Sequence, residues 1–226
     1  MKIYDTQTAP TPRRVRMFLA EKGIDVEYVQ IDIVTGENLS PAIRAKNPLG
    51  KVPILELDDG TTISESTAIC HYFEALHPQP SLLGETPLEI GLISQWQQRA
   101  ELYLFMQVGM CFQHSTGYFK DRMKPVPEYG KEAGINAQKF MHLLDQHLAQ
   151  STYLAGDKFS IADITAFTAV DFARVMKIRI HEVSELFRTF AVFGRKTEDK
   201  KKDDGVNAAA DDGVDHQRCK SESEAS

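Results

Sequence analysis

Every segment of this sequence that reads as a strand lies before Glu65, and from Leu88 onward only helical patterns remain. A chain divided in this way builds a small mixed α/β layer first and a helical body second. In the first part, "KIYD" reads as a strand. "TPRRVRMFLAEKG" follows as a helix, with Thr11 as its expected cap, Pro12 in its first turn, Val15, Phe18 and Leu19 as its apolar stripe and Gly23 at its end. "VEYVQIDI" is a second strand, and Ser40-Pro41 repeats the cap-then-proline signature for a short helix to about Asn47. "VPILEL" and "TTIS" flank Asp58-Asp59-Gly60, a strong hairpin signal. "STAICHYFEALH" is helical, with Ser66 as its expected cap and Ile69, Tyr72, Phe73 and Leu76 on one face. The order β-α-β-α-β-β-α, a right-handed crossover and then a hairpin, predicts a mixed four-stranded sheet covered by helices.

Residues 78–87, with Pro78, Pro80 and Pro87, read as a linker between a first domain, 1–77, and a helical domain, 88–188. Within the latter, "LEIGLISQWQQRAELYLFMQVGMCFQ" is one long helical run. "GINAQKFMHLLDQHLAQ" is a second, striped by Phe140, Leu143, Leu144 and Leu148. A third begins in "GDKFSIADITAFTAVDFARVM", where Ser160 and Asp163 stand at capping-box spacing and Phe159 is placed to staple onto the helix. Residues 189–226 are charged and poor in large apolar side chains, the composition of a disordered tail.

The 226 residues allow one large or two small domains, and the net charge of −6, with no basic stripe, argues against a nucleic-acid partner. Three widely spaced cysteines, Cys70, Cys111 and Cys219, form no ligand set and point to a reducing compartment. No run approaches the roughly 20 apolar residues of a spanning helix, so no membrane partner and a cytoplasmic location are expected. His142 and His147 share a helix face poorly, and no metal is expected.

The chemistry is concentrated around Pro53. A proline deletes a ladder donor, so Pro53 belongs at an edge, at a strand start or after a cis bond. If the Val52–Pro53 bond is cis, Val52 turns its N–H and C=O outward, free to pair with a small peptide. Ser66 and the helix it begins offer a hydroxyl, N–H groups and a positive dipole end for a carboxylate, and the adjacent Glu65 suits an ammonium. The site therefore calls for a peptide-like ligand with an α-amino acid head group. The plainer alternatives are that Ser66 only caps a helix, Glu65 is a solvated first-turn acid and Lys51 an exposed loop lysine.

The first half, with "KVPIL", "ISESTAI" and the later "YLAGDKFSIADITA", resembles the cytosolic glutathione S-transferases over roughly residues 1 to 180. "YDTQTAPTPRRVR" and "LELDDGT" are similar to an atypical fungal and bacterial branch of that family. The resemblance implies a thioredoxin-like domain followed by a helical domain, a likeness to homodimers, and glutathione as substrate. It implies that Pro53 is the cis proline, that Val52 pairs with the cysteinyl backbone, that Glu65 and Ser66 hold the γ-glutamyl end, and that Lys51 lies near the glycyl carboxylate. The expected reaction is attack of the glutathione thiolate on a small hydrophobic electrophile, in the service of detoxification.

The sequence departs from the family where the thiol would be activated. Ala9 stands at the position of the usual hydroxyl or thiol donor. Thr11 is the best hydroxyl nearby, with Thr8 behind it, and Tyr4 reads as core. His114 and Ser115, at the end of the first long helix, are the candidates from the helical side, His114 as a base acting through a water. Phe105, Met110, Phe112 and Tyr118 are candidates for an apolar second-substrate pocket, and Arg99 and Glu101 for a dimer contact. A second departure follows His181, where family members continue with a Trp-Tyr helix and an Arg-Pro ending. Ala9 and that altered ending keep open a second reading, a non-catalytic glutathione-binding or protein-interaction module.

Overall fold

The computed structural model describes residues 1–178. Strands β1 (Lys2–Asp5), β2 (Glu27–Gln30), β3 (Ile54–Glu56) and β4 (Thr62–Ser64) form one mixed sheet in the order β2-β1-β3-β4. β1 and β2 are parallel, and β3 pairs antiparallel with both β1 and β4, with Ile54 opposite Ser64. This is the crossover-then-hairpin arrangement expected from the order of elements. The strands are shorter than the apolar runs that announce them, because Pro53 cannot extend the ladder and the chain beyond Gln30 turns away through an Asp32-centred loop.

Helix α1 (Pro10–Lys22) crosses between β1 and β2. Its cap is Ala9, not Thr11, which is the second helical residue. Pro10 and Pro12 both carry the helical φ, so the helix begins at the earlier one. Gly23, at φ 65, closes it by donating to the Ala20 carbonyl. α2 (Pro41–Lys46) is capped by the Ser40 side chain as expected. α3 (Ser66–Leu76) starts at Ser66 itself, so the cap position falls to Glu65 and not to Ser66. Ile69 and Phe73 are buried, whereas Leu76 is exposed.

The helical part opens with α4 (Pro87–Ala100), where Thr86 and Glu89 form a full capping box. It passes through a π-helical turn, Glu101–Phe105, into α5 (Met106–Thr116), so the long run expected as one helix is interrupted in its middle. α6 (Pro127–Leu148) begins at Pro127, well before the expected Gly134. Gly130 and Gly134 resemble breakers in the sequence but are packing residues. A Cβ on Gly130 would come within 3.0 Å of the Ser115 nitrogen, and one on Gly134 within 3.1 Å of Cys111 Sγ. The buried stripe of α6 is Ala133, Ala137, Met141, Leu144 and Leu148, while Leu143 is exposed and Phe140 packs against Tyr103. α7 (Ile161–Ala173) is buried along nearly its whole length.

One continuous core joins the two parts: Phe18 and Leu19 of α1 share it with Leu104, Ile164 and Ala166. Polar ties lie between them as well. Arg14, 2% exposed, donates to Glu101 and to Thr165 Oγ1 (3.3 Å), whose own hydroxyl donates to Gln97 (2.7 Å). Lys22 Nζ is enclosed by Glu74 and the carbonyls of His77 (2.7 Å) and Pro80 (2.8 Å), which pins the connecting segment. Among the described residues no helix is long and apolar enough to cross a membrane. The expected tail, 189–226, and the altered ending after His181 lie outside the described residues.

Candidate functional site

The Val52–Pro53 bond is cis. Val52 and Ser66 each lie two residues beyond the last paired positions of the β3–β4 hairpin, Ile54 and Ser64, at the same end of it. The Val52 main chain, whose carbonyl accepts from the Thr11 hydroxyl, therefore lies at the end of the hairpin from which α3 begins. Ser66 is buried, and its hydroxyl makes no hydrogen bond with another described residue. Glu65 is exposed and holds φ 70, ψ 118, a backbone conformation that favours glycine. Such strain costs about 1–3 kcal/mol and persists where function requires the geometry. Here it directs the Ser66 end of α3 at the Val52 edge. Glu65→Gly is accordingly expected to raise stability by about 1 kcal/mol while weakening ligand binding, a divergence that thermal melts and calorimetric titration would read directly. A variant that loses stability and keeps its affinity would refute this account of the strain.

The loop bearing Val52 is supported by two amides that the sequence did not single out. Asn47, 2% exposed, donates from Nδ2 to the Lys51 carbonyl (2.8 Å). Asn38 donates to the Gly50 carbonyl (2.7 Å). Both resolve carbonyls that the turn before Pro53 would otherwise bury unpaired. Their only sequence signal was polarity beside a helix end. Lys51 itself is exposed.

α1 delivers a second helix N-terminus to the same place. The Thr11 hydroxyl donates to the Val52 carbonyl (3.3 Å), so it is partly spent on the edge it adjoins. Pro10 and Pro12 carry no N–H, Ala9 N–H goes to the Thr6 carbonyl and Arg13 N–H to that of Ala9. The Thr11 N–H thus remains as the main-chain donor of this terminus. Three arginines follow, each paired with a carboxylate on a different element: Arg13 with Asp171, Arg14 with Glu101, Arg16 with Asp5. They fix the start of α1 against β1, the π turn and α7. Tyr4 is core, as expected, with its hydroxyl on Glu56 (2.6 Å).

His114 and Ser115 are turned toward α6. His114 Nδ1 accepts the Val126 N–H (3.0 Å), and its ring stands edge-on to Tyr129. That acceptor role places the neutral ring's proton on Nε2. Ser115 is exposed, beside Gly130 and 4.0 Å from Cys111 Sγ. Of the residues singled out from sequence, the fold brings together Thr11, Val52, Pro53, Glu65 and Ser66. Phe105 lies under the Arg14 guanidinium, 4.7 Å from ring centre to Cζ, and is core; Phe112 and Tyr118 pack with their rings tilted by 48° and centred 5.3 Å apart near the end of α5. Glu101 is engaged by Arg14 within the chain, and Arg99 lies over Trp96. Among the described residues no cluster of His, Cys, Asp and Glu is placed to hold a metal ion.

The family described as "Glutathione S-transferase, N-terminal domain" matches residues 8–76, and "Glutathione S-transferase, C-terminal domain" matches 110–192. Glutathione S-transferase 2 of Saccharomyces cerevisiae is 42% identical over 194 residues, 84% of this chain and 83% of that protein. The crystal structure of Gtt2 from Saccharomyces cerevisiae superposes with a TM-score of 0.83 at 41% identity, covering 89% of this chain and 99% of that one. A glutathione S-transferase domain-containing protein of Marinobacter aquaeolei gives 0.80 at 38% identity, over 87% of this chain and 97% of the other. With a thioredoxin-like sheet, a helical second part, a cis proline facing a strained helix start, and relatives this similar over most of their length, the chain belongs to the glutathione S-transferase family.

Proposed function

We propose that this protein is a glutathione transferase that holds the tripeptide across the Val52 edge and the α3 N-terminus and presents its thiolate to a small hydrophobic electrophile. The observation that carries the reading is the cis bond after Val52, close to a strained Glu65 and a buried Ser66 hydroxyl that has no partner among the described residues. The cysteinyl N–H and C=O pair with Val52. The γ-glutamyl carboxylate takes the Ser66 hydroxyl and the α3 N–H groups, and Glu65 takes its ammonium. Lys51 neutralises the glycyl carboxylate.

The thiol then lies toward α1, where Ala9 leaves room and the Thr11 N–H with the helix dipole favours an anion. His114, through Nε2–H, and the neighbouring Ser115 hydroxyl act as donors to a water on the far side of the sulfur. The thiol proton passes to solvent and the thiolate forms the C–S bond; in a substitution the leaving group departs into water with the bonding electron pair, and in an addition the resulting carbanion takes a proton from water. The reading extends to a cytoplasmic, detoxifying homodimer. It draws on the two buried free thiols, Cys70 and Cys111, and on the exposed apolar side chains Leu102, Tyr103, Met106 and Leu143 of the helical part. Sedimentation at micromolar concentration would return twice the chain mass, and a monomer there would remove the dimer from the account.

Ser66→Ala tests the site. Because Ser66 is not the cap, the variant should melt within about 0.5 kcal/mol of the parent while its glutathione affinity falls about tenfold or more. Unchanged calorimetric affinity would exclude the hydroxyl from the site.

A further inference from the structure

The two faces of the sheet are covered unequally. Ile3 and Leu55 belong to the main core with Phe18 of α1 and Ile69 and Phe73 of α3, whereas Tyr4 and Ile54 belong to a small separate cluster whose other buried members are Ile31 and Ile43. Val29 and Val52 are packed against that cluster. The helix on this side, α2, has six residues and buries one of them, Ile43. So small an apolar contact leaves α2 dependent on polar ties for its place.

Those ties converge on Lys46, the last residue of α2. Its ammonium donates to Glu56 Oε2 of β3 (2.6 Å), which also accepts the Tyr4 hydroxyl of β1 (2.6 Å), and it lies 5.2 Å from the centre of the Tyr4 ring. The Lys46 carbonyl accepts the Thr62 hydroxyl of β4 (3.0 Å). Lys2, opposite Glu56 in the sheet, brings its ammonium to 3.9 Å from Oε1. The Lys46 and Glu56 side chains are only 28% and 18% exposed, so their charge-assisted bond is less screened than a surface pair. The next residue, Asn47, carries this anchorage into the loop that follows. Its main-chain carbonyl accepts the Gly50 N–H (2.8 Å), its Oδ1 accepts the Leu49 N–H (3.1 Å), and its Nδ2 donates to the Lys51 carbonyl (2.8 Å). The loop up to Val52 is thus fixed through one residue whose neighbour is joined to three strands.

We propose that Lys46 is a positioning residue for glutathione: by pairing with Glu56 beside Tyr4 it fixes the end of α2, and through Asn47 it sets Lys51 and Val52 where the tripeptide binds. The proposal rests on the glutathione reading and gives Lys46 no contact with the ligand. The ion pair orders the loop from Asn47 to Val52 in advance, so that binding need not order it, and a loop left loose lowers affinity by that cost. Val52 is held by the same unit, since it packs on the cluster that contains Tyr4 and Ile43. The hydrogen bond from Lys46, and after it that from Tyr4, holds the Glu56 carboxyl below its ordinary range, which keeps the acceptor charged at neutral pH.

The test compares the full-length parent with Lys46→Met, which keeps an apolar stem over Tyr4 and removes the donor, and with Lys46→Arg, which restores one. Calorimetric titration with glutathione should give a Kd about fivefold or more higher for Lys46→Met, and one within about twofold of the parent for Lys46→Arg. Without ligand, hydrogen exchange at the Leu49 and Gly50 amides should speed about tenfold in Lys46→Met, while the His77 amide at the end of α3 keeps the parent's rate. Saturating glutathione should return the two loop amides to the rate of the liganded parent. A Kd unchanged by Lys46→Met, faster exchange at all three amides, loop exchange that stays fast under saturating glutathione, or a Lys46→Arg variant as weak as Lys46→Met would each overturn the role. A parent that binds no glutathione would overturn the site reading and this role with it, whereas a parent that binds beside a Lys46→Met variant that binds equally well overturns this role alone.

Discussion

Glu101→Ala is expected to lower unfolding stability by about 3–5 kcal/mol, read as a fall in the urea midpoint, and to do so more severely than Arg14→Met. The two partners of this ion pair are not equally placed. Arg14 has a side chain 2% exposed and an Nε with no hydrogen-bond partner, while Glu101 is 32% exposed. Removing Glu101 strands a guanidinium that water cannot reach, with only Thr165 Oγ1 at 3.3 Å and the Phe105 ring beside it. Removing Arg14 in favour of an apolar stem leaves a carboxylate that can turn to solvent. The double variant Arg14→Met, Glu101→Leu should recover most of the loss, because both desolvation costs disappear together. A double variant as damaged as Glu101→Ala alone would show that the pair matters by shape and not by charge.

Asp163→Asn is the second large effect, and its pH dependence identifies the cause. The side chain is fully buried, and its carboxylate gathers three donors: Leu154 N–H on Oδ1 (2.9 Å), and Ser160 N–H (3.0 Å) and Oγ–H (2.9 Å) on Oδ2. An amide presents its own NH2 to one side of that set and leaves buried donors facing each other, at a cost of about 2–3 kcal/mol at pH 7. Burial raises the Asp163 carboxyl from 3.8 to about 6, against the opposing pull of those hydrogen bonds. The folded state therefore binds the proton more tightly than the unfolded state. Between pH 4 and 6 the parent gains stability from this group as pH falls, and above 6 it carries the cost of a buried charge, about 3 kcal/mol at full effect. Asparagine cannot titrate, so the stability gap between parent and variant should widen from pH 7 to pH 5. A gap that narrows over that range would contradict the assignment.

The sheet was legible because its signals are local. The Asp59-Gly60 turn and the strand–helix–strand order leave few topologies open, and β2-β1-β3-β4 is the one found. The edge at Val52 and Pro53 was legible for the same reason, since proline restricts its own neighbourhood. Helix starts were misplaced by one or two residues where two candidates competed. Pro10 and Pro12 are both good first-turn residues, and Glu65 takes the cap only because its backbone is held in a conformation that no propensity favours. Gly130 and Gly134 carry the composition of a break and the function of a close contact, which only the position of α5 decides. What no local pattern could reveal are the long-range ties. Arg14 to Glu101 spans 87 residues and Arg122 to Ile33 spans 89. The arginines were visible, but their partners depend on how two separately legible halves meet.

The ultraviolet absorbance of the glutathione thiolate, titrated with pH in the presence of saturating protein, tests the central claim most directly. If the Val52 edge and the α3 N-terminus hold the tripeptide with its sulfur at the α1 N-terminus, the bound thiol should ionise about one unit or more below its usual value of about 8.5. A bound thiol that ionises at or above that value would contradict the account.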